Sequence, residues 1–404
     1  MDPLKKYYFL SLAFIPLLEF FFITYLNRSF LLLYGSAGTL LFLLMLFSKD
    51  RLRYPLYLSP LILLVVYYFK WDLFNGYYHS FESGLLAYIY SNLWIHTLTF
   101  LIIVENTRFD EKFIKLIIQI FKVTILLAFI VSCVQFFIDP FFFMPDKIKV
   151  FWAFQDQYEI RLNSIFTYDS SVGSSLIPIV SILIGYTLYR NARLNTAWLL
   201  LAAFVFFVNK SRYVYLNFLI ILMQYPVIKG IDFNKAFRVL LISVIFLPLI
   251  HLAFSFTGFD LNEFVNERLL STSAMTRFLA FEMFAEFFPK NPYFGTGLRL
   301  DDDLVRAIGG RSSQIHIGYL SHLYQYGIVG TFFLLGFLFM ILKKMYSTFM
   351  NTSYSGSLFA VLCVAATNLT SVDFSFYHYG LFFAFIFEKY ISDKYFAEEN
   401  YQFV

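Results

Sequence analysis

The chain has 404 residues, 59% of them hydrophobic and only 14% charged, with a formal net charge of +4. A soluble domain carries about 25% charged residues, so this balance excludes a soluble globular protein and points to an all-α polytopic membrane protein. A transmembrane β-barrel is excluded too, because its short segments of alternating apolar and polar residues do not occur here.

Apolar stretches long enough to cross a hydrocarbon core of about 30 Å as helices give about twelve expected spans. The first, 7–26, follows Lys5 and Lys6 and contains Glu19. It lacks a small-residue cleavage site after a short apolar core, so it is expected to be a retained helix and not a signal peptide. Spans at 30–47, 54–70, 84–104 and 114–138 complete an N-terminal transmembrane bundle, 1–138. The unit 139–256 opens with a polar loop, 139–171, and continues through spans at 172–189, 196–209, 213–229 and 237–256. A large polar loop, 257–317, separates these from spans at 318–342, 355–370 and 375–391, so the C-terminal helices and tail occupy 318–404. Cys133 and Cys363 lie in apolar stretches, as small buried hydrophobes do.

The short loops differ in charge. One side carries Lys5/Lys6, Lys49/Arg51/Arg53, Arg108/Lys112/Lys115, Arg190/Arg193, Lys229/Lys235/Arg238, Lys343/Lys344 and Lys389/Lys394; the other has only Arg28, Lys70, Lys210 and Arg212. The positive-inside rule then puts both termini in the cytoplasm and both long loops on the outer face. The outer cations Arg161, Lys210, Arg212, Arg268, Arg277, Arg299, Arg306 and Arg311 compose a positive pocket suited to an anionic headgroup, since a guanidinium fork matches phosphate oxygens. Contact with anionic lipid is the alternative for any one of them.

Several segments bear candidate chemistry. Arg161 opens a stretch in which Asp169, Ser170 or Ser171 is placed to cap the next helix and Gly173 permits close backbone approach. Asn209-Lys210-Ser211-Arg212 leaves so little chain between two spans that it must be a tight turn at the membrane boundary. Charge at that depth usually faces protein or a polar cavity, with snorkelling to lipid headgroups as the alternative. In the large loop, Ser273 is expected to cap an amphipathic helix with Phe278, Phe281, Ala285 and Phe288 on one face, Glu282 and Glu286 off it, and Pro289 and Pro292 at its end. Arg277 falls in its first turn. Gly295-Thr296-Gly297 is too short for a dinucleotide fingerprint and is expected to be a tight turn. Asp301-Asp302-Asp303 is expected to be a solvated face and not a metal site. His316 stands just before a span, where it can meet a headgroup and accept a proton from a hydroxyl; His322 follows six residues later. His79, His96, His251 and His378 show no metal spacing.

Taken together, four segments resemble the O-antigen ligase and polymerase superfamily of membrane glycosyltransferases. They are Arg161 to Gly173 (Arg-Leu-x-x-x-Phe with a downstream Gly), the Ser211-Arg212 turn, Arg277 through Gly297 (Arg-helix-Pro-Gly-x-Gly), and His316 through Gly330, ending in Gly327-Ile328-Val329-Gly330. Ile317, Gln325 and Phe281 depart from the Asn, acidic residue and Trp usual at their places. The resemblance implies a GT-C-like helical fold in the bacterial inner membrane, with the active site on the outer face. It implies transfer of a glycan from a polyprenyl-pyrophosphate donor to an acceptor hydroxyl, inverting, with no cofactor and no metal. Arg161, Arg212 and Arg277 would hold the pyrophosphate, His316 would serve the acceptor, and Lys210, Ser211, Arg299 and His322 would be secondary. A polymerase acting on lipid-linked repeat units is the first expectation. A ligase acting on a lipid core, teichoic or protein acceptor is the second, and a transporter of lipid-linked glycan the third. The partners implied are the donor, a glycan or lipid acceptor and membrane lipids, with no nucleic acid.

Overall fold

The computed structural model describes residues 2–26, 29–48, 52–74, 92–146, 149, 161–166, 169–193, 195–229, 281–282, 284–296, 317–369 and 376–402. The described residues form helices and connecting turns, without strands. A helical span, α1 (Pro3–Leu26), contains short 3-10 and π turns. It is followed by α2 (Phe30–Leu46), α3 (Ser59–Phe74), α4 (Leu93–Glu105), α5 (Glu111–Phe137), α6 (Asp169–Tyr189), α7 (Thr196–Asn209), α8 (Arg212–Leu222) and α9 (Gln224–Lys229). After the large loop come α10 (Gly318–Thr352), α11 (Gly356–Thr367) and α12 (Tyr379–Gln402).

Four helical segments, Pro3–Leu26, Glu111–Phe137, Val172–Tyr189 and Gly318–Thr352, are long and apolar enough to cross a membrane, and shorter apolar helices accompany them. This is a multi-pass membrane protein. The expected span 237–256 lies outside the described residues; each of the others falls wholly or partly on a helix. The span expected at 213–229 is present as α8 and α9, with Met223 between them in helical conformation and Val227 N donating to Met223 O at 3.2 Å. One differs in form. The span expected at 318–342 runs on to Thr352, because Lys343 and Lys344 are compatible with a helix that continues beyond lipid.

The helices begin where the sequence supplies caps. Asp110 accepts from Phe113 N at 2.7 Å to start α5, and Asn92 accepts from Trp94 N and Ile95 N to start α4. Helix α6 forms the centre of the molecule, packed on α11 and α12, and its residues 172–182 are buried throughout. In lipid, apolar side chains gain little from helix association, so small residues and interhelical hydrogen bonds carry it. Gly185 of α6 lies against the backbone of Gly356, where a Cβ would come within 2.3 Å of the Gly356 nitrogen. Beside this contact, Ser181 Oγ donates to Gly356 O at 2.8 Å, Gln224 Nε2 donates to Ser181 Oγ at 2.9 Å, and Ser355 Oγ donates to Gln224 Oε1 at 2.8 Å. The network ties α6, α9 and the start of α11 together inside the bundle.

Among the described residues, several of the loops expected on one side by charge gather at one end. Lys5 Nζ donates to Asn106 O at 3.0 Å, Asn106 exchanges hydrogen bonds with the backbone of Arg53, and Lys344 pairs with Glu105 at 2.5 Å. Arg190 lies 3.6 Å from Glu111, which also binds Lys115 at 3.0 Å. Glu111 titrates below the usual carboxylate range because of the Lys115 hydrogen bond and charge and, to a lesser degree, Arg190. The opposite end holds the turn between α7 and α8, the residues after α5 and the start of α10.

Replacing Gly185 with valine forces α6 away from α11. Overpacking of this kind costs about 1–3 kcal/mol, and the expected outcome is a lower thermal midpoint for the purified protein. An unchanged midpoint would show that the contact with Gly356 is not tight.

Candidate functional site

Two pairs of segments distant in sequence meet at the end of the bundle opposite the cation cluster. The first pair joins the Arg161 segment to the Ser-Arg turn. Residues 162–166 are buried, and Arg161 is half-buried at their edge. Gln135, near the end of α5, fastens this loop: its Oε1 accepts from Ser164 N at 2.8 Å, and its Nε2 donates to Asn163 Oδ1 at 2.6 Å and Phe142 O at 2.7 Å. Ser164 Oγ donates to Ala128 O at 2.7 Å, and Ser164 holds a left-handed conformation (φ 56°) that this set of bonds sustains. From the other side, Asn209 Nδ2 donates to Leu162 O at 2.8 Å. The last residue of α7 thus grips the segment that follows Arg161.

The turn is as tight as the sequence requires. Helix α7 ends at Asn209, Lys210 takes a left-handed conformation (φ 59°), Ser211 is the N-cap position, and Arg212 is the first residue of α8. Lys210 occupies a place where glycine is the usual residue, so the side chain is retained at a conformational cost of about 1 kcal/mol. Ser211 is 1% exposed; it makes no side-chain cap bond, and its hydroxyl has no hydrogen-bond partner among the described residues. The first turn of α8 presents free N–H groups and the positive end of its dipole, the arrangement that binds anions. Gly173 of α6 packs directly on this turn, with Tyr213 2.3 Å from where its Cβ would be. The Arg161-to-Gly173 segment and the Ser211-Arg212 turn therefore contact each other at two points. Helix α6 already includes Asp169, Ser170 and Ser171, so these lie inside it and not at the cap position expected for them; the side chains of 169–171 and of Arg212 lie outside the described ones.

The second pair joins residues 292–296 of the large loop to a break in α10. Gly327 interrupts this helix at φ 65°, ψ −171°, a conformation open essentially to glycine alone. The break frees backbone groups that the loop then satisfies: Ile328 N donates to Pro292 O at 2.9 Å, Val329 N to Tyr293 O at 3.0 Å, and Thr296 N to Tyr324 O at 3.3 Å. Gly295 (φ 74°) and Gly327 lie backbone to backbone, so that a Cβ on either would be about 2.5 Å from the other's nitrogen. Tyr67 of α3 seals the joint, its hydroxyl 2.9 Å from Phe294 O and 3.0 Å from Tyr326 O. A turn at 292–294 leads into Gly295; the tight turn expected over Gly295-Thr296-Gly297 falls partly outside the described residues, which here end at Thr296.

The loop helix differs from expectation in its buried face. Residues 281–282 and 284–287 are helical and a 3-10 turn covers Phe288–Lys290. Phe281 is 55% exposed and Ala285 is exposed, whereas Phe287 is 6% exposed and packs with Phe284, Ile317, Leu320 and Tyr324. The face that meets α10 is Phe284 and Phe287, and the 3-10 turn that follows them contains Pro289. Glu282 and Glu286 are exposed, as expected.

Helix α11 bridges the two pairs. Asn217 Nδ2 of α8 donates to Thr367 Oγ1 at 2.7 Å, and Gly318 N, at the start of α10, donates to Asn368 O at 3.0 Å. These acceptors are adjacent in sequence, so the Ser-Arg helix and the chain immediately after His316 attach to one end of one helix. His316, Arg277, Arg299 and the run Asp301-Asp302-Asp303 lie outside the described residues. His322 is 4% exposed and set within the bundle, its ring nitrogens bonded to the hydroxyls of Tyr68 and Thr331. This joins α3 to both sides of the break in α10. Cys363 is buried and Cys133 partly so, both free thiols.

Three residues that matter to this end were not singled out from sequence. Gln135 and Asn163 build the Arg161 loop. Glu19 of α1 accepts from Ser29 Oγ and Leu31 N, each at 2.7 Å, and lines a cavity of about 220 Å³ with Phe166, Ser174 and His378. Gln135 and Glu19 carried a legible signal, a polar or charged side chain inside an apolar span.

Two outcomes test this architecture. Gly327→Ala meets both the conformational barrier and the Tyr293 carbonyl; it should cost about 3 kcal/mol or more and expose the 292–296 segment to limited proteolysis. Unchanged cleavage would mean the loop is not held there. Gln135→Leu should leave membrane insertion intact, cost about 1–3 kcal/mol through the abandoned backbone amide of Ser164, and speed amide exchange across 163–166. Unaltered exchange would contradict the fastening role.

Residues 197–335, about a third of the chain, match the family described as O-antigen ligase. The match runs from α7 through the first half of α10 and includes the Ser-Arg turn, Arg277, the Gly-x-Gly turn, His316 and the Gly327 break; Arg161 precedes it. No curated protein matches the chain.

Proposed function

We propose, from the match of residues 197–335 to the O-antigen ligase family, that the chain transfers glycan repeat units from a polyprenyl-pyrophosphate donor to an acceptor hydroxyl at the outer leaflet. The observation that carries this reading is the turn between α7 and α8. It joins a lysine held left-handed, a buried serine hydroxyl with no hydrogen-bond partner among the described residues, and the N-terminus of a helix whose first residue is Arg212. Such a constellation suits a phosphate, and its contact with the Arg161 segment adds a second guanidinium nearby in the fold.

In the proposed reaction the acceptor oxygen forms a bond to the anomeric carbon from the face opposite the leaving group. The bond from that carbon to the pyrophosphate oxygen breaks, the configuration inverts, and lipid pyrophosphate departs. Arg161, Arg212 and Arg277 offset the negative charge that grows on the leaving oxygen, which is electrostatic stabilisation of the transition state. His316, two residues before an α10 backbone amide anchored to Asn368, takes the acceptor proton. Lys210, Ser211 and Arg299 assist at the phosphates. His322, buried and bonded on both ring nitrogens to Tyr68 and Thr331, serves the site by positioning the helix break. No nucleotide sugar and no metal enter the scheme.

Repeat-unit polymerisation is the form proposed here, with ligation to a lipid core, teichoic or protein acceptor as the alternative outcome. Purified protein given a single lipid-linked repeat unit should yield a ladder of lengthening products. Product formed only after a second acceptor is added would make it a ligase. Arg212→Ala should lower kcat/KM about 100-fold or more with normal insertion, and His316→Ala should lower kcat while donor affinity stays near wild type. Lys210→Gly, which relieves the left-handed strain, should keep the protein folded and weaken donor binding. Wild-type transfer by Arg212→Ala would remove the phosphate assignment.

A further inference from the structure

At the end of the bundle opposite the turn between α7 and α8, the chain has a second polar cavity that the proposed transfer does not use. It is a cleft of about 610 Å³ between the segment before α3, the turn after α4 and the C-terminal half of α12. Arg53, Arg108, Lys389 and Lys394 line it, with Phe109 and Phe396 as an apolar wall.

The carboxylates in the cleft are already engaged. Glu105 is bound by Lys344 at 2.5 Å and by the Tyr57 hydroxyl at 2.5 Å, and Asp393 is bound by Lys389 at 2.6 Å. Arg53 and Arg108 take part in no ion pair among the described residues. The backbone of Arg53 is fixed by two hydrogen bonds to the Asn106 side chain, at 2.7 and 3.0 Å, so the guanidinium is presented from an anchored strand of chain. Phe109 is 8% exposed and forms the inner side of the wall, whereas Phe396 is 57% exposed on the outer side. A cleft lined by two arginines with no ion pair among the described residues, beside an aromatic rim open to its surroundings, matches an amphiphile with an anionic head. Basic pockets between membrane helices bind such headgroups, and a guanidinium fork is the better partner for a phosphate than an ammonium.

We propose that this cleft is a binding site for a phosphate group, supplied by an anionic phospholipid whose headgroup rests on Arg53 and Arg108 and whose chains pass along Phe396. A soluble phosphate would use the same two arginines without the aromatic rim. The site is separate from the proposed donor site and does not depend on the glycan-transfer reading.

Native mass spectrometry of the full-length purified protein tests it. The probes are phosphatidylglycerol and phosphatidylcholine with identical acyl chains, and inorganic phosphate alone. Wild type should retain phosphatidylglycerol about tenfold or more over phosphatidylcholine, and the double variant Arg53→Gln/Arg108→Gln should lose that preference. The variant Arg53→Lys/Arg108→Lys, which keeps the charge, should retain part of it and controls for folding. Binding of inorganic phosphate that displaces the lipid and is lost in the glutamine variant would assign the same site to a soluble source. Equal retention of the two lipids with no phosphate binding would overturn the proposal, as would a glutamine variant with wild-type preference.

Discussion

The break in α10 at Gly327 is the constraint on which the end of the molecule opposite the cation cluster depends. A membrane helix cannot leave backbone groups unsatisfied, so an interrupted helix must recruit partners. Here they come from residues 292–296, whose carbonyls and amides complete what the break opens. The large loop is consequently tied to the bundle at its C-terminal portion by backbone hydrogen bonds, by the Gly295–Gly327 contact and by the Phe284/Phe287 cluster. His316 lies in the chain between these two fixed points, Thr296 and Gly318.

The same logic governs the other half of the site. The Arg161 loop has no regular structure of its own, and polar side chains on α5 and α7 supply its hydrogen bonds, Gln135 from one side and Asn209 from the other. Asn209 immediately precedes the Lys210-Ser211-Arg212 turn, so anchoring the loop and shaping the turn are a single event. Helix α11, held to the central α6 by the Gly185–Gly356 approach and its serine–glutamine network, carries both halves on adjacent residues, Thr367 and Asn368.

Much of this was legible in the sequence, for physical reasons. The limits of α7 and the turn after it follow from an apolar run that must end at the membrane boundary, and Thr196–Asn209 matches the expected 196–209. The charge bias of the short loops anticipated the cation-rich end. What escaped was pairing. Nothing in the spacing of Gly295 and Gly327 says that they touch, because their contact depends on a helix break that hydropathy cannot register. The amphipathic face of the loop helix was misplaced because phenylalanines stand on both sides of it: Phe284 and Phe287 pack on α10 while Phe281 is exposed, a choice the spacing of apolar residues leaves open. The extension to Thr352 was hidden for a related reason: apolar composition marks where a helix can cross lipid, and not where its hydrogen bonding stops.

The central claim is that cations at the turn between α7 and α8 recognise pyrophosphate on a lipid-linked glycan. Steady-state transfer with two donors of identical glycan and polyprenyl chain, one pyrophosphate-linked and one monophosphate-linked, tests it most directly. The account predicts that wild type prefers the pyrophosphate donor in kcat/KM by about 100-fold or more, and that most of this preference disappears in Arg212→Ala. Equal use of the two donors by wild type, or an undiminished preference in the variant, would contradict it.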